Sequence, residues 1–216
     1  MNPAVSIIIL NYQSKGLTRE CIKSILKHTP SLSYEIIVVD NSGEEELERA
    51  IDERYPQFRY IKMMRNVGFA RGNNIGAREA KGDYILFLNQ DVTVRPHAID
   101  RLVAPLKNHP DIGIAAPRLM NPDGSTQQTC FRWYRLATPL FRRTILGKLP
   151  AGRRHLDSFL MKDRDLSQVS DVDSIMGAAL AIRRSFMEQV GLFDERFFFY
   201  FEDVDICRRS WEKGLR

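Results

Sequence analysis

The chain reads as an α/β protein: a doubly wound, mostly parallel sheet joined to a smaller mixed region. Three observations predict this. Val5–Leu10, Tyr34–Asp40 and Tyr84–Asn89 are apolar runs with little polar alternation, the pattern of strands buried on both faces. Helix-like segments separate the runs, as the crossovers of a parallel sheet require. After Pro117 that alternation stops, which marks off the second region.

In order, Val5–Leu10 is a strand, and Ser14 is placed to cap a helix with Leu17, Cys21, Ile22, Ile25 and Leu26 on one face, ending near Pro30. Tyr34–Asp40 is a second strand, followed by a helix over Glu44–Arg54 with acids in its first turn. Phe58–Met63 is a third strand and Phe69–Ala80 a third helix, ending at Gly82. Tyr84–Asn89 is a fourth strand, Pro96–Asn108 a helix with proline in its first turn, and Ile112–Pro117 a fifth strand. Asn121-Pro-Asp-Gly124 has the chemistry of a hairpin turn. Residues 131–170 are basic and weakly periodic. Val172–Ile182 is β-like, Arg184–Val190 a short helix, Gly191–Tyr200 a phenylalanine-rich loop and Glu202–Lys213 a final helix.

Composition excludes several classes. With 216 residues, 44% hydrophobic and 27% charged, the chain suits a globular fold and excludes collagen, a coiled coil or a disordered chain. Its longest apolar runs, such as Ile7–Leu10 and Ile85–Leu88, fall far short of the ~20 residues that span a bilayer. Met1 leads almost directly into a strand, so no signal peptide is expected. Cys21, Cys130 and Cys207 form no CxxC or Cys/His cluster, which argues against a disulfide framework or structural zinc and suits a cytoplasmic location. The net charge of +5 is local: residues 131–165 hold nine Lys/Arg against three acids.

Open parallel sheets bind ligands beyond the C-terminal ends of their strands. Those ends hold Asn11 and Tyr12, Asp40 and Asn41, residues 64–68, and Asn89-Gln90-Asp91. Asp91 suits a Mg²⁺ or Mn²⁺ ion, which is usually held by one or two carboxylates plus substrate phosphates. Asn66-Val-Gly-Phe-Ala-Arg-Gly-Asn-Asn-Ile-Gly76 carries Gly68, Gly72 and Gly76 at four-residue spacing into a helix. Two explanations stand side by side, close helix packing and close approach of a ligand. Arg71 suits either phosphate oxygens at the helix N-terminus or a surface ion pair. Near the C-terminus, Glu202, Asp203 and Asp205 open a helix after five aromatic residues. Acids there complement the helix dipole, and a carboxylate desolvated by aromatic rings also suits a general base.

Together, VSIIILNY, IIVVDNS, NVGFARGNNIGAREAKGDYILFLNQDV and SIMGAALAIRRSFMEQVGLFDERFFFYFEDVDICRR resemble the family 2 glycosyltransferases, in particular their rhamnosyltransferase-like branch. The resemblance covers nearly everything outside 131–170. It implies a GT-A fold, with residues 1–120 as a nucleotide-sugar-binding half and 121–216 as an acceptor-binding half. It also implies inverting transfer from a nucleoside-diphosphate sugar, a UDP- or dTDP-sugar, to a hydroxyl of a glycan or lipid-linked acceptor in cell-surface polysaccharide assembly, with Mn²⁺ or Mg²⁺ as cofactor. Carried over by position, Asp40 bonds the pyrimidine base, Asn11 and Tyr12 line the nucleotide pocket, and Asn66, Gly68 and Arg71 belong to the donor side. Asn89-Gln90-Asp91 holds the DXD position, with Asn89 in place of its first acid and Asp91 as metal ligand. Gly177 lies near the sugar, and Asp203, of the Glu202-Asp203 pair, is the catalytic base.

Such enzymes usually continue with a strand and a metal-binding histidine after the final helix. The sequence ends at Gly214-Leu-Arg216, so a C-terminally truncated chain is expected. The alternative function is a catalytically incomplete sugar-nucleotide-binding domain. For residues 131–165, bases among Trp133, Tyr134, Leu140, Phe141, Ile145 and Leu146 suit a solvated loop, a lipid diphosphate acceptor, or peripheral contact with anionic lipid headgroups at the inner face of the membrane. Nucleic acid is not expected as a partner, because it leaves the strand-end carboxylates without a role. A sugar nucleotidyltransferase is disfavoured too, since Asn11-Tyr-Gln-Ser-Lys-Gly16 is a poor glycine-rich phosphate loop.

Overall fold

A computed structural model describes residues 2–42, 58–165 and 167–216. The elements in chain order are β1 (Val5–Asn11), α1 (Lys15–Lys27), β2 (Tyr34–Asp40), β3 (Phe58–Lys62), α2 (Phe69–Glu79), β4 (Tyr84–Asn89), α3 (Ala98–Asn108), β5 (Ile114–Ala115), β6 (Cys130–Phe131), α4 (Ala137–Arg143), a 3₁₀ turn (Ile145–Lys148), α5 (Pro150–Phe159), β7 (Ser174–Ile175), β8 (Ala179–Arg183), α6 (Arg184–Gln189) and α7 (Glu202–Glu212). The helix expected over Glu44–Arg54 lies outside the described residues.

Two compact units form: Met1–Pro117 with Gly177–Arg216, and Arg118–Met176. The expected boundary near residue 120 therefore describes only one crossing of the chain. Residues 177–216 return to the first unit, because β8 completes its sheet.

That sheet has six strands in the order β3-β2-β1-β4-β8-β5. The β3–β2, β2–β1 and β1–β4 pairs are parallel. The purely parallel continuation expected at Ile112–Pro117 is corrected by β8, which inserts between β4 and β5 and runs antiparallel to both. An apolar run such as Ala-Leu-Ala-Ile carries no signal of direction. The core is fully buried on both sides of β1: Ile7, Ile8 and Ile9 are all solvent-inaccessible. Helix α2 seats on one side through its glycines. A Cβ at Gly72 would lie 2.5 Å from Leu10 Cδ1, and one at Gly76 2.6 Å from Ile8 Cγ2. Close packing thus explains both. Pro96 lies before α3, which starts only after His97 at φ 59°.

In the second unit, Asn121–Gly124 makes the expected turn: Ser125 O accepts from Asn121 N (2.8 Å), and Met120 bridges Thr126 antiparallel. Strands β6 and β7 pair antiparallel. Much of the weakly periodic stretch is a helical hairpin, α4–3₁₀–α5. Buried Phe159 stacks on Phe131 (5.5 Å between centroids) and meets Tyr134 at 4.9 Å. Thr138 Oγ1 lies 2.9 Å from His155 Nε2.

Candidate active site

Strand β1 pairs with β2 on one side and β4 on the other, so the strand order reverses there. The C-terminal ends of β1 and β4 flank the crevice that such a reversal opens. Because β8 is antiparallel to β4, with Ala179 opposite Leu88, its starting residues reach the same rim. Asn89 N donates to Ala178 O (2.9 Å), and Gly177 N donates to Asp203 Oδ2 (3.0 Å). On the other side Gln90 clasps β1: its Oε1 accepts from Tyr12 N (2.8 Å) and its Nε2 donates to Tyr12 O (3.2 Å). A continuous chain of bonds therefore runs from Tyr12 through Asn89–Gln90 to Asp203.

Below this rim, Asn11 and Asp40 are both 0% exposed. Asn11 Nδ2 donates to Asp40 Oδ1 (2.8 Å), and Thr18 Oγ1 donates to Asn11 Oδ1 (2.8 Å). Asp40 Oδ1 also accepts from Ser42 N and Oγ, and Oδ2 from the Tyr60 hydroxyl (2.5 Å). Burial alone would raise the pKa of Asp40; the bonds from Ser42, Tyr60 and Asn11 outweigh it and hold the carboxyl below its usual range. Asn11, expected to line the pocket, is instead consumed in fixing Asp40, while Tyr12 is 42% exposed.

Asp91 is exposed and makes no hydrogen bond or ion pair among the described residues. Its charge is felt by Cys21, whose thiol is pushed up to about 12 by burial and then by Asp91. No group of three or more His, Cys, Asp or Glu among the described residues is arranged to hold a metal. The site that fits is a single unpaired carboxylate, compatible with an ion held mostly by phosphate oxygens.

Asn66 Oδ1 accepts from Asn41 Nδ2 (2.8 Å) and Gly68 N (2.9 Å), and Val67 N donates to Asn41 Oδ1 (2.8 Å). Asn66 thus shapes the approach to α2. Gly68 has φ 89°, and a Cβ there would lie 2.6 Å from Phe198 O, so no other residue fits easily. The next amide, Phe69 N, donates to Phe198 O (2.8 Å). Arg71, considered for phosphate contact, is turned to Glu195 (3.7 Å), which Arg78 also pairs (2.7 Å). Glu195 accepts from Asn74 as well (3.1 Å), so Arg71 meets an acid already held on α2.

The acids that open α7 have three separate fates. Asp205 pairs with Arg209 (2.8 Å). Asp203 accepts from Gly177 N and, through Oδ1, from Val204 N (2.8 Å); burial still raises its pKa against those bonds. Glu202 is only 4% exposed, and its Oε2 is buried with no hydrogen-bond partner among the described residues. Burial first, then the Asp203 charge, push it up to about 7. The expected aromatic wall is not a buried one: Phe198, Phe199, Tyr200 and Phe201 are each more than half exposed. Tyr200 and Phe201 both sit at φ 73°, a left-handed geometry that costs bulky residues about 1–2 kcal/mol each. Such cost concentrates at functional segments.

The family model described as glycosyl transferase family 2 matches residues 6–189. The chain belongs to this family. Its relatives include the low-salt glycan biosynthesis hexosyltransferase Agl10 of Haloferax volcanii, 30% identical over 98% of this chain and 62% of that protein. Another is the N-acetylglucosaminyl-diphospho-decaprenol L-rhamnosyltransferase of Mycobacterium tuberculosis, 26% identical over 99% of this chain and 72% of that protein. These bear out the branch that the sequence resembles. The chain is also similar in fold to a mannosyltransferase of Pyrobaculum calidifontis solved with GDP-Man and Mn²⁺, with TM-score 0.66 and 16% identity over 100% of this chain and 54% of that one. The glycosyltransferase architecture is therefore of GT-A type. The chain spans less than two thirds of the hexosyltransferase and about half of the mannosyltransferase.

Sequence reasoning missed the clasp by Gln90, although its place between Asn89 and Asp91 was a signal. It also missed Tyr60 and Thr18, whose roles as donors to buried acceptors exist only once strands and helix are assembled.

Proposed function

We propose that the chain transfers a sugar, with inversion, from a UDP- or dTDP-sugar to a hydroxyl of a glycan or lipid-linked acceptor. The observation that carries this reading is the bond chain along one rim, from Tyr12 through Gln90 and Asn89–Ala178 to Gly177 and Asp203. Along it, Asp203, at the start of α7, is tied to Gly177 just before β8, and Asp91 follows β4, the strand beside β8 and next to the reversal of strand order. The lipid-linked acceptor draws support from the relative named for a diphospho-decaprenol substrate.

Two backbone amides fix the Asp203 carboxylate, and burial raises its proton affinity, both of which suit a general base. It takes the proton of the acceptor hydroxyl as that oxygen attacks the anomeric carbon. The bond from that carbon to the diphosphate breaks, and the electron pair leaves with the nucleoside diphosphate. Attack opposite the leaving group inverts the centre. Glu202, neutral below about pH 7, adds no second charge beside Asp203 there. Asp40, held ionised by its hydrogen-bond donors, is assigned the base of the nucleotide, with the Tyr60 hydroxyl as the bond that ligand exchanges. Tyr12, Asn66, Gly68, Asn89 and Gly177 frame the donor, with Asn11 behind Asp40 and Arg71 outside the diphosphate contact. Asp91 would hold Mn²⁺ or Mg²⁺, which, when bound, offsets the charge of the departing diphosphate.

A thermal-shift screen of UDP-, dTDP- and GDP-sugars, each with and without Mn²⁺, tests the reading. It predicts stabilisation by a pyrimidine donor that depends on metal. Stabilisation by none of them would contradict it, and binding without transfer to any acceptor would instead fit a sugar-nucleotide-binding domain.

A further inference from the structure

The helical hairpin of the second unit carries a surface to which none of the residues assigned to donor or catalysis belongs. Between Gly124 and Leu156 there is no Asp or Glu, yet there are seven Lys/Arg. Two of the seven are engaged: Arg132 pairs with Asp163, and Arg142 donates to the Tyr134 hydroxyl and lies over the Phe159 ring. Arg135, Arg143, Lys148, Arg153 and Arg154 are exposed and have no ion pair among the described residues.

Aliphatic side chains stand among these bases. Leu136 is 101% exposed, Ile145 75%, Leu149 54% and Leu140 48%. Leu136 and Leu140, four apart, share a face at the start of α4. Ile145 and Leu149 bracket the 3₁₀ turn that leads into α5. None of the four is needed for the hairpin's own core, which closes on Thr138, Gly147, Gly152 and Phe159.

We propose that this hairpin is an interfacial membrane surface, with Leu136, Leu140, Ile145 and Leu149 entering the headgroup region of an anionic bilayer and the unpaired bases meeting lipid phosphates. Charge complementarity identifies the occupant: a basic stretch without acids from 125 to 155, followed by Asp157 already paired with Lys162, is matched by an anionic surface. The exposed aliphatics decide between anionic surfaces. Leucine and isoleucine gain by leaving water for the acyl boundary, whereas a nucleic-acid backbone offers them nothing and favours aromatic stacking.

The test is flotation of the full chain with vesicles of phosphatidylcholine alone or with phosphatidylglycerol added, at low and high salt. Binding is expected only to the anionic vesicles and should weaken with salt. Replacing Arg143, Lys148, Arg153 and Arg154 by Gln should weaken it by roughly a hundredfold or more, at about fivefold for each charge. Leu136→Ser with Ile145→Ser should weaken it roughly tenfold or more, with an unchanged circular-dichroism spectrum, since both side chains are exposed. Equal binding to neutral and anionic vesicles, or unchanged binding of both variants, would overturn the proposal. So would a wild-type chain that ignores vesicles yet binds DNA or RNA, or one that self-associates through the same residues.

Discussion

Glu202→Gln isolates the most unusual group at the rim. Burial and the Asp203 charge raise the Glu202 pKa from its ordinary 4.5 to about 7. Between those two values the folded chain keeps a proton that the unfolded chain has lost, so stability falls as pH rises through this window. Above pH 7 the folded state ionises as well, and the loss levels off at about 3 kcal/mol, at 1.36 kcal/mol per pKa unit. Glutamine keeps the shape and removes the titration. The variant should match the wild type near pH 4.5 and be more stable by about 3 kcal/mol at pH 8. In a chain of this length that is roughly 6–12 °C in Tm. Thermal melts of both proteins across that pH range give the difference directly. A Tm difference that does not vary with pH, or a variant less stable at pH 8, would refute the reading of Glu202 as a buried carboxylate with an unpartnered oxygen.

Other perturbations follow the same physics. Tyr60→Phe removes a donor from buried Asp40 and should cost about 1.5–3 kcal/mol at neutral pH in denaturant titration. Asp40 has a depressed pKa, so the deficit should shrink as pH falls through that pKa; a constant deficit would count against the bond. Gly76→Ala places a Cβ 2.6 Å from Ile8 Cγ2 and 3.1 Å from Val39 Cγ2, both on β-branched residues with little room to turn. It should destabilise by about 1–3 kcal/mol despite a helix-propensity gain of up to ~1 kcal/mol. Gly177→Ala meets Asp203 Cβ at 3.4 Å, an ordinary contact, and should stay within about 0.5 kcal/mol of wild type; equal losses in the two variants would contradict the packing account of α2. Asp91→Ala should abolish the Mn²⁺-dependent part of nucleotide affinity in calorimetry and leave metal-free affinity unchanged. Retention of the metal-dependent part would remove Asp91 from the metal site.

Local pattern carried the regular elements and stopped at assembly. The run Tyr84–Asn89 is legible to the residue, and Tyr34–Asp40 likewise, because strands buried on both faces leave unbroken apolar sequence. The position of β8 was not legible, since short apolar strands read alike in either direction. Residues 131–159 hid their helices because the hairpin is held by tight crossings at Gly147 and Gly152 and by rings around Phe159, contacts between segments that local pattern does not display. At the site, strand-end position marked Asn11, Asp40, Asn89 and Asp91. It could not say that Asn11 and Asp40 bond each other out of solvent, or that Arg71 turns to Glu195. The opening of α7 was legible as three acids, but their division into an ion pair, a backbone-held carboxylate and a buried one depends on residues far away in the chain.

The central claim is that Asp203 acts on the acceptor while other residues hold the donor. Nucleotide-sugar binding and sugar transfer, measured side by side for Asp203→Asn, test it most directly. The account predicts donor affinity close to wild type, with transfer reduced about 10²–10⁴-fold. Transfer at the wild-type rate, or loss of donor binding equal to the loss of transfer, would contradict it.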